Sequence, residues 1–129
     1  MSVDSLMQTE HLPLVPPDMP LHQVLDEMDR GQLGAVFILG AAGTLEGVFT
    51  DGDLRRTLGA GRLMPESLIK KLMTVNPKRA RLGQSVAELI DLMEAKAITI
   101  LPVVDENDKP VGVVHLHDLL GKGRIRFSG

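Results

Sequence analysis

At 129 residues, 43% of them hydrophobic, the chain has material for one shared core but not for two generous independent ones. It has no cysteine, hence no disulfide framework or thiolate metal site, no signal-peptide pattern and no apolar run long enough to span a bilayer, so a soluble, cytoplasmic protein without membrane contact is expected. The formal net charge of −3 hides an asymmetry, with 4 basic and 9 acidic side chains in residues 1–64 against 10 and 8 in 65–129, and the three aromatics (Phe37, Phe49, Phe127) are too few to stack nucleic-acid bases.

Residues 1–10 are short and polar. Residues 12–15 read as an extended segment closed by Pro16 and Pro17. Over 20–30, Leu21, Val24, Leu25 and Met28 recur at the spacing of one helical face, with Asp18 near the start and Gly31 just past the end as capping residues. A buried strand at 34–39, a turn at 40–44 and a second strand at 45–49 make a hairpin-like pair, and a helix follows from 51 to 58. Residues 59–61 read as a hinge and 65–73 as a connecting helix. The order then repeats: extended at 77–82, a Ser85/Glu88 capping box opening a helix to about 95, strands at 98–104 and 110–114, a closing helix at 118–122 and a frayed end at 123–129.

The repetition is visible residue by residue. Gly47, Val48, Asp53 and Leu54 return 65 positions later as Gly112, Val113, Asp118 and Leu119, and Asp26 and Met28 return as Asp91 and Met93. An internal repeat of this length makes the chain a tandem duplication. Each half reads as strand, helix, strand, strand, helix. Its boundaries are expected at 5–58 and 72–122, with 59–71 as connecting hinge and helix.

The stretch from Gly47 to Leu54 carries the clearest chemistry. A strand breaks at Thr50 and turns directly into a helix, which leaves backbone N–H groups open to an anion. Thr50 and Asp53 stand three apart and can face that opening together, the hydroxyl toward a phosphate oxygen and the carboxylate toward two adjacent ribose hydroxyls. They are equally the two halves of an ordinary capping box.

Together, this pattern, the strand and turn from Leu101 to Asp105, and Leu72-Met73-Thr74 followed by Asn76-Pro77 resemble a tandem pair of CBS (cystathionine-β-synthase) domains over about residues 5–122. The resemblance implies an α+β fold of two packed repeats related by a pseudo-twofold axis. It also implies clefts between the repeats that bind adenine or other nucleotides, with the Asp closing each motif on ribose and the Thr or Ser three before it facing phosphate. Asp53 and Thr50 match that pattern. Asp118 matches, but His115 replaces the hydroxyl residue. Because each cleft in the family borrows the opening segment of the other repeat, Thr74, Asn76 and Pro77 are expected to serve the first cleft. Residues near 9–13 would serve the Asp118 cleft, with Thr99 and Ile100 at its base.

A narrower resemblance runs through residues 49–56 and 115–120. It is to the C-terminal CBS pair of arabinose-5-phosphate isomerases, enzymes that feed the pathway to Kdo, the acidic sugar of lipopolysaccharide. It implies a covalently linked sugar isomerase domain in the parent protein, with Met1 opening only a fragment of it. The expected role is a nucleotide-sensing regulatory module without catalytic residues or cofactor, forming a homodimer of CBS pairs. Feedback logic selects a cytidine nucleotide such as CMP-Kdo. An adenine-nucleotide sensor, or an oligomerisation module with no small ligand, is the alternative. His115 and His117, alternate residues at a strand end that point to one face, are read as an anion-facing pair, with a zinc site and plain solvated histidines as rival readings. Arg55, Arg56, Lys78 and Arg79 are further candidates for a ligand carboxylate.

Overall fold

The structure is a computed structural model that describes residues 1–61 and 64–121. The expected frayed segment at 123–129, Lys122 at the end of the closing helix, and part of the hinge region lie outside the described residues.

The fold is α+β, with two sheets, and it divides into two compact units. Residues 11–77 form one unit. Residues 1–10 join those from 78 onward to form the other.

In the first unit, β1 (Leu14–Val15) runs parallel to β2 (Ala35–Leu39), which pairs antiparallel with β3 (Leu45–Thr50); β4 (Thr74–Val75) closes the sheet in the order β1-β2-β3-β4. Alternation on β3 buries Leu45, Gly47 and Phe49 on one face, as a half-buried strand requires. Helix α1 (Leu21–Gly31) buries Leu21, Val24 and Met28 against Val15, Val36, Ile38, Phe49 and Ile69. Its caps differ from the expected ones. Pro20 holds the N-cap, where its lack of an N–H costs nothing, and Gln32 takes the left-handed C-cap position with its N–H on Met28 O at 3.0 Å. Gly31 is the last helical residue. Helix α2 (Asp51–Gly59) leaves β3 with no intervening loop.

The second unit repeats this plan with β5 (Ala80–Arg81) parallel to β6 (Ile100–Val104) and β6 antiparallel to β7 (Pro110–His115), plus α3 (Val86–Ala95) and α4 over 116–121. The registers match at the offset of 65. Val15 opposite Ile38 becomes Ala80 opposite Val103, and Ala35 opposite Thr50 becomes Ile100 opposite His115. Strand β6 starts at Ile100, two residues later than expected, and α4 starts at 116, two residues earlier. Ser85 Oγ accepts from the Glu88 N–H at 3.1 Å, which is the forward half of the expected box, with Glu88 itself exposed.

The expected connecting helix at 65–73 is replaced by a single 3-10 turn, Ile69–Lys71. Its backbone groups are already engaged elsewhere. Ile69 N–H donates to Met19 O (2.9 Å), Lys70 N–H to Pro17 O (3.1 Å), and Ser67 O accepts from Leu21 N–H (2.8 Å). Tertiary pairing satisfies groups that a helix would have satisfied locally.

Residues 1–8 play the matching part in the second unit. Val3–Ser5 form a 3-10 turn, Val3 is fully buried, and Leu6 and Met7 pack on the cluster of Leu89, Met93, Leu101, Val103 and Leu119. Gln8 pairs with Val113 as Thr74 pairs with Val48. Both crossings rest on glycine. A Cβ at Gly47 would collide with Met73 Sδ and stand 3.1 Å from Thr74 O; one at Gly112 would stand 2.7 Å from Met7 Sδ and 3.1 Å from Gln8 O. Gly112→Ala is therefore expected to cost about 1–3 kcal/mol in urea unfolding, the scale of an overpacked core, and to make residues 1–8 accessible to protease. Unchanged stability and unchanged cleavage would remove the close approach as a constraint.

Candidate functional site

The first motif gathers four donors on one carboxylate. Thr50, the last residue of β3, is the N-cap of α2 with extended backbone (φ −115°, ψ 170°). Its Oγ1 accepts from the Asp53 N–H at 3.1 Å, and Asp53 Oδ2 accepts in return from the Thr50 N–H (2.9 Å) and from the Thr50 hydroxyl (3.0 Å). The capping box is thus complete. Asp53 Oδ1 accepts from the Arg56 guanidinium and, at 3.3 Å, from the Thr74 hydroxyl on β4. Asp53 is 8% exposed and is the buried charged residue of the described structure. Its position in the first turn of a helix also suits a negative charge.

Gly52 keeps the end of α2 open. A Cβ there would lie 3.5 Å from an Arg56 nitrogen, 3.8 Å from an Arg55 nitrogen and 3.6 Å from Thr50 Oγ1, so both guanidinium groups flank the helix N-terminus. A helix N-terminus flanked by two arginines favours an anion. Asn76 and Pro77 belong to the same unit: Asn76 has left-handed backbone (φ 50°), donates its N–H to Glu46 O at 3.1 Å and is exposed, whereas Pro77 is buried. Arg56 carries the missing signal of the sequence reading, in which it served only as general positive charge. Its i,i+3 spacing from Asp53 on a helix surface was enough to pair them.

The second motif is built differently. His115 ends β7, opposite Ile100, and its Nδ1 accepts from the His117 N–H at 3.2 Å. An imidazole nitrogen thus does for α4 what the Thr50 hydroxyl does for α2, and as an acceptor that nitrogen carries no proton. His117 was expected to share a strand face with His115 by alternation. It lies instead in the first turn of α4, and the two rings approach to 4.7 Å at 53° because the chain bends there. Asp118 is exposed where its counterpart Asp53 is buried. Thr99 adjoins the motif through its carbonyl, which accepts from the Leu116 N–H at 2.8 Å, and its side chain is exposed. Lys78 is exposed ahead of β5. Arg79 is committed to Asp108, with Nη1 at 2.7 Å from both carboxylate oxygens. Among the described residues, no three His, Cys, Asp or Glu side chains are placed to hold a metal ion.

Of the expected site residues, the structure brings Thr50, Asp53, Thr74 and Arg55 to the start of α2. It brings Thr99, Ile100, His115, His117 and Asp118 to the start of α4. Gln8, just ahead of the segment expected to serve the second motif, pairs with Val113 of β7.

Comparison with known proteins gives a consistent picture. The family model described as the CBS domain matches twice, at residues 3–60 and 69–123. The arabinose 5-phosphate isomerase KdsD of Pseudomonas aeruginosa is 41% identical over 124 residues, which is 95% of this chain but 38% of that protein. The chain therefore spans well under half the length of that curated relative. Among solved structures, a CBS domain pair in complex with 5-methylthioadenosine and S-adenosyl-L-methionine superposes with a TM-score of 0.85 at 21% identity, covering 96% of this chain and 98% of the other. The cytosolic domain of the Mg2+ channel MgtE in complex with ATP gives 0.80 at 25% identity, covering 94% and 48%.

The capping geometry predicts a stability effect independent of any ligand. Thr50→Val keeps the shape but removes the hydroxyl that both donates and accepts, and thermal or urea unfolding should show a loss of about 0.5–2 kcal/mol. A neutral result would show that the box adds nothing to α2.

Proposed function

This chain belongs to the CBS domain family, and from that premise we propose that it is the nucleotide-sensing regulatory module of an arabinose-5-phosphate isomerase. The observation that carries the reading is the 41% identity to such an isomerase along 95% of the chain. The catalytic, sugar-isomerising domain would lie in the part of the parent protein that the match leaves uncovered. The module regulates and does not catalyse. Its bound nucleotide stabilises one conformation, and a ligand shifts such an equilibrium only through its differential affinity for the states, typically about 1–3 kcal/mol.

The ligand in this reading is a cytidine nucleotide, with CMP-Kdo as first choice. An early enzyme of a pathway gains from sensing the last soluble product. CMP-Kdo presents a ribose, one bridging phosphate and a sugar carboxylate. Asp53 takes ribose hydroxyls, and Thr50 with the N-terminus of α2 faces the phosphate. Arg55 is the group for the second anion at the first site, and Lys78 with the His115/His117 pair are the anion-facing groups of the other unit. Thr74, Asn76 and Pro77 from the segment opening the second repeat complete the first site, and Thr99, Ile100 and Asp118 the second. An adenine nucleotide is the second reading, favoured by the similar structures solved with ATP and with 5-methylthioadenosine and S-adenosyl-L-methionine.

Calorimetric titration distinguishes them. CMP-Kdo should bind more tightly than CMP, and CMP at least as well as AMP; tightest binding of AMP or ATP would replace the cytidine reading with the adenine one. Asp53→Ala should weaken nucleotide binding by about 1.5–3 kcal/mol, the scale of hydrogen bonds to a charged group. A fall in stability of about 1 kcal/mol with affinity intact would make Asp53 a helix cap only. The module is also proposed to form a homodimer, since Leu58, Met64 and Val75 are exposed apolar side chains and closed twofold symmetry is the commonest arrangement. Light scattering at high concentration should give twice the monomer mass, and a monomer would contradict it.

A further inference from the structure

Asp53 has no acceptor capacity to spare. A carboxylate offers about four lone-pair sites, and four donors are in place: the Thr50 N–H and hydroxyl on Oδ2, Arg56 and the Thr74 hydroxyl on Oδ1. A ligand hydroxyl reaches this carboxylate only if one of them leaves. The four are not equally free to go. The two Thr50 bonds belong to the reciprocal cap, and breaking them strands a backbone N–H at the helix start. Thr74, although exposed, is fixed in its backbone by the pairing of β4 with β3, opposite Val48, and its short side chain has a single torsion to turn. Arg56 differs, because its side chain is 73% exposed and sits at the end of a long flexible stem. Solvent takes up its guanidinium at little cost, as for most exposed ion pairs.

We propose that Arg56 is a latch across Asp53 Oδ1, closed in the empty protein and displaced when a ligand's hydroxyl pair takes that oxygen. The proposal rests on the nucleotide-sensing reading and adds the regulation of the same site. The released guanidinium stays near the N-terminus of α2, since it already lies alongside Gly52. There it meets the ligand's phosphate. One arginine thus opposes the sugar of a ligand and favours its anion, which selects phosphorylated nucleosides over free ones.

The test compares uncharged nucleosides with their monophosphates, using cytidine and adenosine against CMP and AMP, on Arg56→Gln, Arg55→Gln and the parent chain. Arg56→Gln removes an ion pair whose guanidinium is exposed and whose carboxylate is buried, and the remaining three donors on Asp53 should keep the variant folded, as circular dichroism melting would show. It should bind the nucleoside about 2–5-fold more tightly, the fold-change equivalent of an exposed pair, while the ratio of monophosphate to nucleoside affinity falls. Arg55→Gln, which takes a guanidinium from the same helix end, should lower the monophosphate-to-nucleoside ratio without tightening nucleoside binding. Added salt screens the Arg56–Asp53 pair, so nucleoside affinity should rise with salt in the parent chain and stay flat in Arg56→Gln. Nucleoside affinity that is unchanged or weaker in Arg56→Gln overturns the latch while leaving nucleotide sensing intact. If neither the parent chain nor the variant binds any nucleoside or nucleotide, the sensing reading fails and the latch with it.

Discussion

The carboxylate of Asp53 is the constraint on which the first unit turns. An ion this far removed from water loses hydration worth several kcal/mol unless polar partners replace it. The fold supplies four, and each has a structural consequence. The two from Thr50 end β3 and start α2 at the same residue, leaving no loop between them. The one from Thr74 ties the distant β4 segment to that junction. The one from Arg56 brings a guanidinium to the helix end. A single buried charge therefore sets where the strand stops, where the helix begins and what chemistry stands at the opening.

The second unit reaches a similar backbone without that charge. His115 caps α4 through an imidazole nitrogen, and Asp118 stays in solvent. A hydroxyl can accept and donate at once, so Thr50 and its acid lock each other in place. An imidazole nitrogen that accepts cannot also donate, and the reciprocal lock is lost. The duplicated halves thus keep the same strand registers and offer different chemistry at their motifs. One presents a buried carboxylate beside two arginines, the other a histidine pair beside an exposed acid.

Each unit is also completed by a segment far from it in sequence. Residues 1–8 lie on β7 and residues 68–75 on β3, each passing over a glycine that admits a methionine and a backbone carbonyl at close range. Such contacts only exist after the chain has closed a long loop. They reward it by burying Val3 in one unit and Ile69 in the other.

Much of this was legible beforehand because it is local. The duplication, the β2–β3 and β6–β7 hairpins and the buried face of α1 all follow from side-chain periodicity within a few residues, and the Thr50/Asp53 cap follows from a spacing of three. The same locality misled the reading of 65–73, whose helical composition was overridden once Pro17, Met19 and Leu21 took up its backbone groups. It gave no hint that residues 1–8 form part of the second core, because a short polar-looking segment shows its partner only in three dimensions. It left His117 between a strand ending at 114 and a helix starting at 118, whereas His117 belongs to the helix, since a strand-to-helix junction can shift by two residues without changing the pattern. The sequence by itself determined the repeat, the elements and the capping pair. Only the tertiary structure decided that Thr74 and Arg56 share Asp53 and that Asp118 does not share its counterpart's burial, because those facts depend on which distant groups remain to replace water around a charge.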